Sequence, residues 1–393
     1  MKTLRQIIEL CRLSLLSLPQ RAGSVGVIVV GIAGVVGVLV SLLAMRDGFQ
    51  TTLGATGRLD EAIVLRGGAN AELSSRLTRE DLTVITEAPG VLRDSEQRPL
   101  VSGEVVVVLN LPKLTTGTDA NVELRGVGPQ AVTLHRGVRI SQGRLFERGK
   151  RELVAGVGAA SQFAKLTVGT TLTLAGEPWT VVGQFESGDA HESELWADAE
   201  SVQSAYRRDG YSSVAVRLTD AAAFDAFSAA LKNDPRLKVD IQRTRDYYAT
   251  QSQRLRRLIE VLATTVAVIM AIGATFAALN TMYAAVTVRG REIAILRAMG
   301  FSGFTIVMAV LLEALALALL GGVLGGGLAW LMFDQYTVST LGQNFSQVVF
   351  AFSVSLPLVL SALRWALVIG FIGGLLPALH AARLPLPAAL RSR

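Results

Sequence analysis

Four stretches of the chain are long, apolar and almost free of charge, and more polar sequence fills the rest. They comprise residues 23–45, 261–288, 301–333 and 365–382. A helix rises about 1.5 Å per residue, so about 20 apolar residues span a hydrocarbon core of about 30 Å. The pattern therefore predicts four transmembrane helices, of which the last needs residues upstream of Arg364 to reach full length.

Two other interpretations fit this pattern less well. Four charge-free stretches of this length are difficult to bury in the core of one soluble protein. The first stretch follows 22 residues and exceeds the apolar region of a signal peptide, which has about 7–15 residues. We interpret it as an uncleaved anchor.

The fold class predicted is a membrane α-helical protein with a large α+β extracytoplasmic domain between helices 1 and 2. The predicted boundaries are 1–22 for a cytoplasmic amphipathic helix, 23–46 for the first span, 47–243 for the α+β domain, 244–260 for a stalk helix, 261–288 for the second span, 289–302 for a cytoplasmic coupling loop, 303–333 for the third span, 334–361 for a periplasmic loop, 362–382 for the fourth span and 383–393 for a cytoplasmic tail.

Within the α+β domain, short apolar runs alternate with helical patterns. Predicted strands are 62–66, 105–111, 121–127, 152–155, 170–174, 179–185 and 213–218, and predicted helices are 78–87, 159–166, 199–207 and 221–231. Gly176-Glu177-Pro178 predicts a hairpin turn, and Thr78 with Asp81 predicts a capping box.

The distribution of charge predicts the orientation in the membrane. Residues 47–254 contain 24 Lys and Arg against 27 Asp and Glu, whereas the rest of the chain contains 14 against 5. Because basic residues favour the cytoplasmic side, both termini and the loop after the second span are predicted to be cytoplasmic. Arg254, Arg256 and Arg257 oppose this bias locally, and we interpret them as a helix end near the outer headgroups.

The sequence contains no recognisable catalytic constellation. Gly149-Lys150 lacks the rest of a phosphate-binding loop, so no ATP hydrolysis by this chain is expected. His135, His191 and His380 are far apart in sequence, and no metal site is predicted. The segment Gly188–Glu194 is acidic and contains a histidine. A cation site and a solvated loop are both compatible with it, and the solvated loop is favoured.

Two features of the spans have a bearing on packing and function. Glu313 is the only acid in a span, and an intramembrane carboxylate is costly unless satisfied or functional. We interpret it as a structural carboxylate between helices, with proton coupling as the alternative. Small residues at four-residue spacing predict close helix packing, within one chain or between two: Gly273 and Ala277, Gly321 and Gly325, and Gly370, Gly374 and Ala378.

The most specific motif follows the second span. Asn280 lies in that span, and the loop after it has Arg289, Glu292, Ile293, Ala294, Leu296, Arg297, Ala298 and Gly300. This strongly resembles the "R-x-x-E-I-A-x-L-R-A-x-G" signature of the FtsX-like, MacB-type permeases of ABC transporters. The ending of the chain, from Gly370 to Arg391, resembles that family too, and the layout is similar over essentially the whole chain.

The resemblance implies a permease subunit in the bacterial inner membrane that binds no cofactor itself. Macrolide exporters of this type fuse their nucleotide-binding domain to the same chain. None occurs in these 393 residues, so a separate cytoplasmic ATPase is expected to hold ATP and Mg²⁺. Other expected partners are a second copy or paralogue, a periplasmic adaptor and membrane lipids, with no nucleic acid. The alternative is a signalling subunit that activates a cell-wall hydrolase.

The loop 289–300 is the predicted coupling element. If it is helical, Arg289, Glu292 and Ile293 share one face, with Leu296 and Arg297 one turn further on. Together with Arg291, these residues predict an apolar knob ringed by charge that enters a cleft on the ATPase. Gly300 is predicted to end the helix. The alternative is a basic turn that binds anionic lipid.

Overall fold

A computed structural model describes residue 9, residues 22–341 and residues 346–384 of the chain. The predicted N-terminal amphipathic helix and most of the predicted C-terminal tail lie outside the described residues. The chain divides into two units. We call residues 48–256 and 337–351 the sheet domain, and the remainder the helical domain.

The helical domain contains the four apolar helices that the hydrophobic pattern predicts. Long helices cover Ala22–Ala55 (α1), Thr244–Val288 (α7), Gly303–Phe333 (α9) and Leu356–Arg383 (α10), and a short helix covers Gly290–Ala298 (α8). Each long helix contains a stretch apolar and long enough to cross a membrane. The predicted stalk and the predicted second span form one continuous helix, α7, whose first part belongs to the sheet domain.

The fourth long helix begins earlier than predicted. It starts at Leu356, with Ser355 as N-cap and Pro357 in its first turn, whereas a start near Ala362 was expected. Proline is well tolerated in the first turn of a helix, where its missing N–H costs little. Arg364 is therefore an exposed residue inside the helix, not a residue at its start.

The sheet domain is built on one ten-stranded sheet. Its strands are Glu61–Arg66 (β1), Val101–Pro112 (β2), Asp119–Val127 (β3), Arg139–Gly143 (β4), Glu152–Gly156 (β5), Thr171–Leu174 (β6), Glu177–Glu186 (β7), Glu194–Asp198 (β8), Ser213–Arg217 (β9) and Val239–Arg243 (β10). The order is β10-β1-β9-β2-β3-β8-β5-β7-β4, with β6 also paired to β7. Only the β3–β8 and β5–β7 pairs are parallel.

Short helices accompany this sheet. They cover Arg79–Thr86 (α2), Ala131–Leu134 (α3), Val157–Gln162 (α4), Ala199–Tyr206 (α5) and Ala223–Asn233 (α6). The predicted capping box is confirmed, because Thr78 and Asp81 exchange both hydrogen bonds. The predicted helix 159–166 is wrong at its C-terminal end. Phe163 is already extended and Lys165 has φ +65°, a left-handed conformation that ends a helix.

Two further strands lie within the predicted loop 334–361. Thr337–Leu341 (β11) and Gln347–Ala351 (β12) pair antiparallel between α9 and α10, and they belong to the sheet domain. The predicted loop 334–361 therefore contains a β-hairpin and the first residues of α10. The strands β4, β8 and β10 were not predicted either. In β4 and β8 no β-branched or aromatic residues recur with period two, and the alternation in β10 is limited to Val239 and Ile241.

The two faces of the sheet differ in chemistry because strand residues point alternately to opposite sides. One face carries the main apolar core, to which β3 contributes Val122 and Leu124 and β8 contributes Leu195 and Ala197. The intervening residues point to the other face. They include Glu123, Arg125, Glu194 and Trp196, all of which are buried. The opposite face therefore holds charged groups inside the protein.

Candidate functional site

The short helix α8 lies within the segment predicted as the coupling loop. Arg289 is its N-cap residue, and the Ile293 N–H donates to the Arg289 carbonyl at 3.0 Å. Gly300 has φ +96° and follows the C-cap. The N–H groups of Gly300 and Phe301 donate to the carbonyls of Arg297 and Leu296, the pattern of a Schellman motif. The predicted helix end at Gly300 is confirmed.

The orientation of α8 differs from the one predicted. Ile293 is 7% exposed and packs with Val286, Ile306 and Ala381, so it lies inside the helical domain. The expectation that Ile293 forms a knob presented to a partner is wrong. Leu296 and Arg297 are half-buried.

A different face of α8 is exposed. It contains Arg291, Glu292 and Ile295, and the C-cap residue Met299 continues it. Ile295 is 43% exposed and Met299 is 63% exposed, and their four-residue spacing places them on one face. The element thus presents a small apolar patch flanked by one basic and one acidic side chain.

Two contacts hold α8 against the long helices. Arg289 Nη1 lies 3.2 Å from Glu313 Oε2 on α9, and Glu313 is only 7% exposed. Arg297 Nη1 donates to the carbonyl of Leu384, directly after α10, at 2.9 Å. Movement of α8 is therefore tied to both helices. The structure brings the predicted intramembrane acid and the predicted coupling loop together, a contact that no sequence pattern indicated.

A small cleft of about 70 Å³ lies between α7, α8 and α9. Its walls are mainly apolar and include Met282, Ile306 and Val310, and Arg289, Glu292 and Glu313 also line it. The Arg289–Glu313 pair therefore adjoins an apolar space rather than a tightly filled core.

The small residues of the spans pack mostly within the chain. A Cβ on Gly321 or Gly325 would meet the α1 backbone at 2.8 and 2.3 Å, and one on Gly370 or Gly374 would meet Ala318 or Ala314 of α9 at 2.4 and 2.5 Å. Ala378 is fully buried and Ala277 is half-buried. Gly273 differs, since among the described residues no atom lies within 4 Å of an added Cβ.

A cluster of buried charges in the sheet domain was missed by the sequence analysis. Arg125 is 2% exposed and forms ion pairs with the carboxylates of Glu72, Glu104, Glu123 and Glu194. The closest nitrogen–oxygen distance in each pair is between 2.7 and 2.9 Å. We call these five residues the Arg125 cluster. One signal could have revealed it: charged residues stand at alternate positions of β3, where an apolar strand would have apolar ones.

Histidines extend this cluster. His135 Nε2 lies 3.1 Å from Glu104 Oε1, and the rings of His135 and His191 are 4.9 Å apart. Burial alone would raise the pKa of Glu104, but the hydrogen bond and charge of His135, with the charge of Arg125, lower it to about 2. Burial alone would lower the pKa of His191, but the carboxylates of Asp189 and Glu194 raise it to about 10.

The acidic segment Gly188–Glu194 belongs to this buried region. His191 is 2% exposed, and its Nδ1 lies 3.1 Å from Asp189. The favoured prediction of a solvated loop is therefore wrong. Among the described residues, no group of three or more His, Cys, Asp or Glu side chains is arranged to hold a metal ion.

Comparison with known proteins covers both units. Residues 22–234 match the model of the MacB-like periplasmic core domain, and residues 264–386 match the model of the FtsX-like permease C-terminal region. The macrolide export ATP-binding/permease protein MacB of Neisseria gonorrhoeae is 26% identical over 290 residues, which cover 68% of this chain and 43% of that protein. That of Vibrio parahaemolyticus is 24% identical, over 90% of this chain and 59% of that protein.

Among solved structures, the periplasmic region of MacB from Actinobacillus actinomycetemcomitans is 17% identical in sequence, with a TM-score of 0.37. The match covers 52% of this chain and 94% of the chain in that structure. The chain spans about half the length of the curated relatives it matches. The two family models together cover most of the chain and account for both of its units. The chain therefore belongs to the FtsX/MacB-type family of ABC transporter permeases, which are multi-pass membrane proteins.

Proposed function

We propose that this chain is the permease subunit of an ABC-type export complex in the bacterial inner membrane. A cytoplasmic ABC ATPase partner binds ATP and Mg²⁺, and its hydrolysis cycle moves the sheet domain on the periplasmic side. Cargo of the lipoprotein, lipid, peptide or drug class is then moved from the outer face of the membrane. A second permease copy or paralogue and a periplasmic adaptor complete the complex.

The observation that carries this proposal is the exposed face of α8. An exposed apolar pair, Ile295 and Met299, lies beside the charges of Arg291 and Glu292 on a helix too short to be a domain. The same helix is tied to α9 through Glu313 and to the end of α10 through Leu384. When a partner binds this face and moves α8, the long helices α9 and α10 move as well. A coupling element requires such transmission.

Charge bias supports the orientation. The segment between the second and third spans contains Arg289, Arg291 and Arg297 against Glu292, whereas residues 47–254 have an excess of acids. Basic loops remain on the cytoplasmic side. We therefore assign α8 to the cytoplasm, where an ATPase can reach it, and the sheet domain to the periplasm.

The proposal is tested by changing the exposed face of α8 alone. The double variant Ile295→Asp with Met299→Asp places two charges in the apolar patch while Ile293 and the Arg289–Glu313 pair stay intact. The ABC ATPase that co-purifies with the tagged wild-type chain from native membranes is identified and produced separately. We expect the double variant to lose ATPase binding and the stimulation of ATP hydrolysis.

A matched control makes the same change on another exposed apolar residue. Leu114 of the sheet domain is 57% exposed, and Leu114→Asp is expected to bind and stimulate the ATPase like the wild type. If the double variant in α8 also retains wild-type binding and stimulation, α8 is not the ATPase-docking element. The loop would then act as a basic turn at the lipid surface.

A further inference from the structure

One five-residue segment of the sheet domain, Ala190–Glu194, is held firmly in place. Ala190–Ser193 form a 3₁₀ turn capped by Asp189, whose side chain accepts from the His191 N–H at 3.0 Å. Four of the five residues are buried. The backbone lies so close to β5 that a Cβ on Gly156 would come within 2.2 Å of the Glu192 carbonyl oxygen. The segment cannot slide without disturbing β5.

The segment contacts three elements that lead to the membrane helices. The Ala190 N–H donates to Thr56 Oγ1, directly after α1, at 3.0 Å. The His191 ring lies edge-on to Tyr248 in the first turns of α7, with centroids 5.9 Å apart. These are two of the connections between the sheet domain and the rest of the chain.

The third contact is with the β11–β12 hairpin. The Val349 N–H donates to Ser193 Oγ at 2.8 Å, and both residues are buried. The hairpin lies in the chain between α9 and α10. The chain passes between its two units at four points, after residues 47, 256, 336 and 351. Residues 190–194 thus contact every element through which the membrane helices connect to the sheet domain.

The far end of the segment reaches the centre of the sheet. Glu194 Oε2 accepts from Arg125 Nε at 2.8 Å and from the Trp196 indole N–H at 2.8 Å. Charge-assisted hydrogen bonds of this kind are short and directional. Because the bonded groups are buried, separating them exposes unsatisfied polar atoms, which costs free energy. A displacement applied at Thr56, Tyr248 or Val349 is therefore expected to move β8 and β3 together with the segment.

We propose that residues Ala190–Glu194 are the junction through which α1, α7 and the β11–β12 hairpin jointly drive the sheet domain. This inference rests on the proposed function, because it names the residues that receive the movement produced by ATP hydrolysis. Ser193 and Thr56 are its positioning residues, and each accepts one buried backbone N–H. The contacts persist throughout the cycle, so the segment behaves as a fixed joint and not as a latch that opens.

The test breaks two of the junction hydrogen bonds while leaving the ATPase-docking face of α8 unchanged. The combined variant Thr56→Val with Ser193→Ala removes both acceptor oxygens with little change in volume. Ser102→Ala is the matched control, because Ser102 is equally buried and its Oγ accepts from the Gly128 N–H at 3.0 Å, away from the junction.

The readout is the distance between two spin labels on one chain, in a Cys11→Ser background. The labels are placed at the exposed Ser141 and Arg364, and distances are measured by double electron–electron resonance with and without ATP and vanadate. The wild-type complex and Ser102→Ala should show a nucleotide-dependent shift. The junction variant should show a shift smaller by about twofold or more, with ATPase binding and hydrolysis unchanged.

Each other outcome has a definite consequence. A full shift in the junction variant overturns the junction and leaves the proposed function intact. No shift in the wild-type complex, despite ATP hydrolysis, overturns the proposed function and the junction with it.

A second arm does not depend on folding of the junction variant. Lys113 Nζ lies 3.4 Å from Gln347 Oε1 on the hairpin. Cysteines at these two positions, bridged by a short bis-maleimide, hold the hairpin on the sheet domain. A fixed joint predicts that the bridged chain keeps the full nucleotide-dependent shift. Loss of the shift on bridging would show that the hairpin must leave, which contradicts the proposal.

Discussion

Arg289, the N-cap residue of α8, forms an ion pair with Glu313 of the long helix α9. Their side chains meet at 3.2 Å although 24 residues separate them, and the Glu313 side chain is 7% exposed. The carboxylate therefore has a cationic partner where the sequence showed only an isolated acid. This pair favours the interpretation of Glu313 as a structural carboxylate over the alternative of a proton relay.

Substitution of Glu313 separates these two roles. Glu313→Gln keeps an acceptor for Arg289, so we expect ATPase stimulation and cargo movement to persist largely. Glu313→Leu removes the acceptor and should lower stability by about 1–3 kcal/mol, measured by thermal unfolding in detergent. A relay role would be shown instead if Glu313→Gln stopped cargo movement while ATP turnover continued.

Impermeant thiol labelling tests the orientation. In a Cys11→Ser background, single cysteines replace Asp119 in the sheet domain and Met299 on α8, both of which are exposed. On intact spheroplasts we expect labelling at position 119 and protection at position 299, with both labelled after lysis. The reverse pattern would exclude the assignment of α8 to the cytoplasm.

Arg125 is expected to be essential for the stability of the sheet domain. Arg125→Met leaves four buried carboxylates without their shared guanidinium, and removing one partner of a buried ion pair costs about 3–5 kcal/mol. The control is Arg76→Met, since Arg76 pairs with Asp209 at an exposed site, where such pairs contribute about 0–1 kcal/mol. Denaturant unfolding of the full chain measures both, and equal losses would argue against the cluster.

His191 is expected to stay protonated across the neutral range. Its pKa is raised to about 10 from 6.5, so its stabilising contribution is complete below pH 6.5 and is lost as the pH rises through about 10. The chain has three histidines, so selective ¹³C labelling of histidine yields few signals, and His191→Gln assigns one of them. That signal should not titrate between pH 5 and 8. Titration near pH 6.5 would refute the strong pairing with Asp189.

Two glycines of α9 should respond oppositely to alanine. On Gly325 the added Cβ would lie 2.3 Å from the Ala33 carbonyl oxygen of α1, whereas on Gly327 no described atom lies within 4 Å. We expect Gly325→Ala to destabilise the chain by about 1–3 kcal/mol through overpacking. Gly327→Ala should be neutral or stabilising, because alanine favours helix by about 1 kcal/mol. Thermal unfolding in detergent compares them, and equal effects would contradict the α1–α9 packing.

The segment 289–300 shows how much of the structure a local sequence pattern can predict. The helix end at Gly300 was predictable because capping depends on neighbours in sequence, whereas the helical form was only a condition of that prediction. Which face packs inward was not predictable. Ile293 is buried by Val286, Ile306 and Ala381, and periodicity alone cannot say which of two apolar positions meets another helix.

The sheet domain likewise has strands that the sequence predicts and strands that it does not. Strand β2 was predictable from its valine run, residues 105–108, and β3 from the alternation of Val122 and Leu124 with polar residues. Strand β8 was not predictable, because Glu194 and Asp198 are charged residues that become buried. Arg125 is acceptable inside the protein only because Glu72, 53 residues away, and Glu194, 69 residues away, meet it there. Such compensation does not exist until the chain has folded.

The sequence by itself determined the four membrane spans, the place of the large domain between the first two, and the family. These depend on local hydrophobicity and on short motifs, which need no tertiary partner. The tertiary structure alone decided that the β11–β12 hairpin joins the sheet domain, that residues 190–194 lie buried, and that Arg289 meets Glu313. Each of these requires contacts between residues distant in sequence, because burying a polar group is favourable only where another group satisfies it.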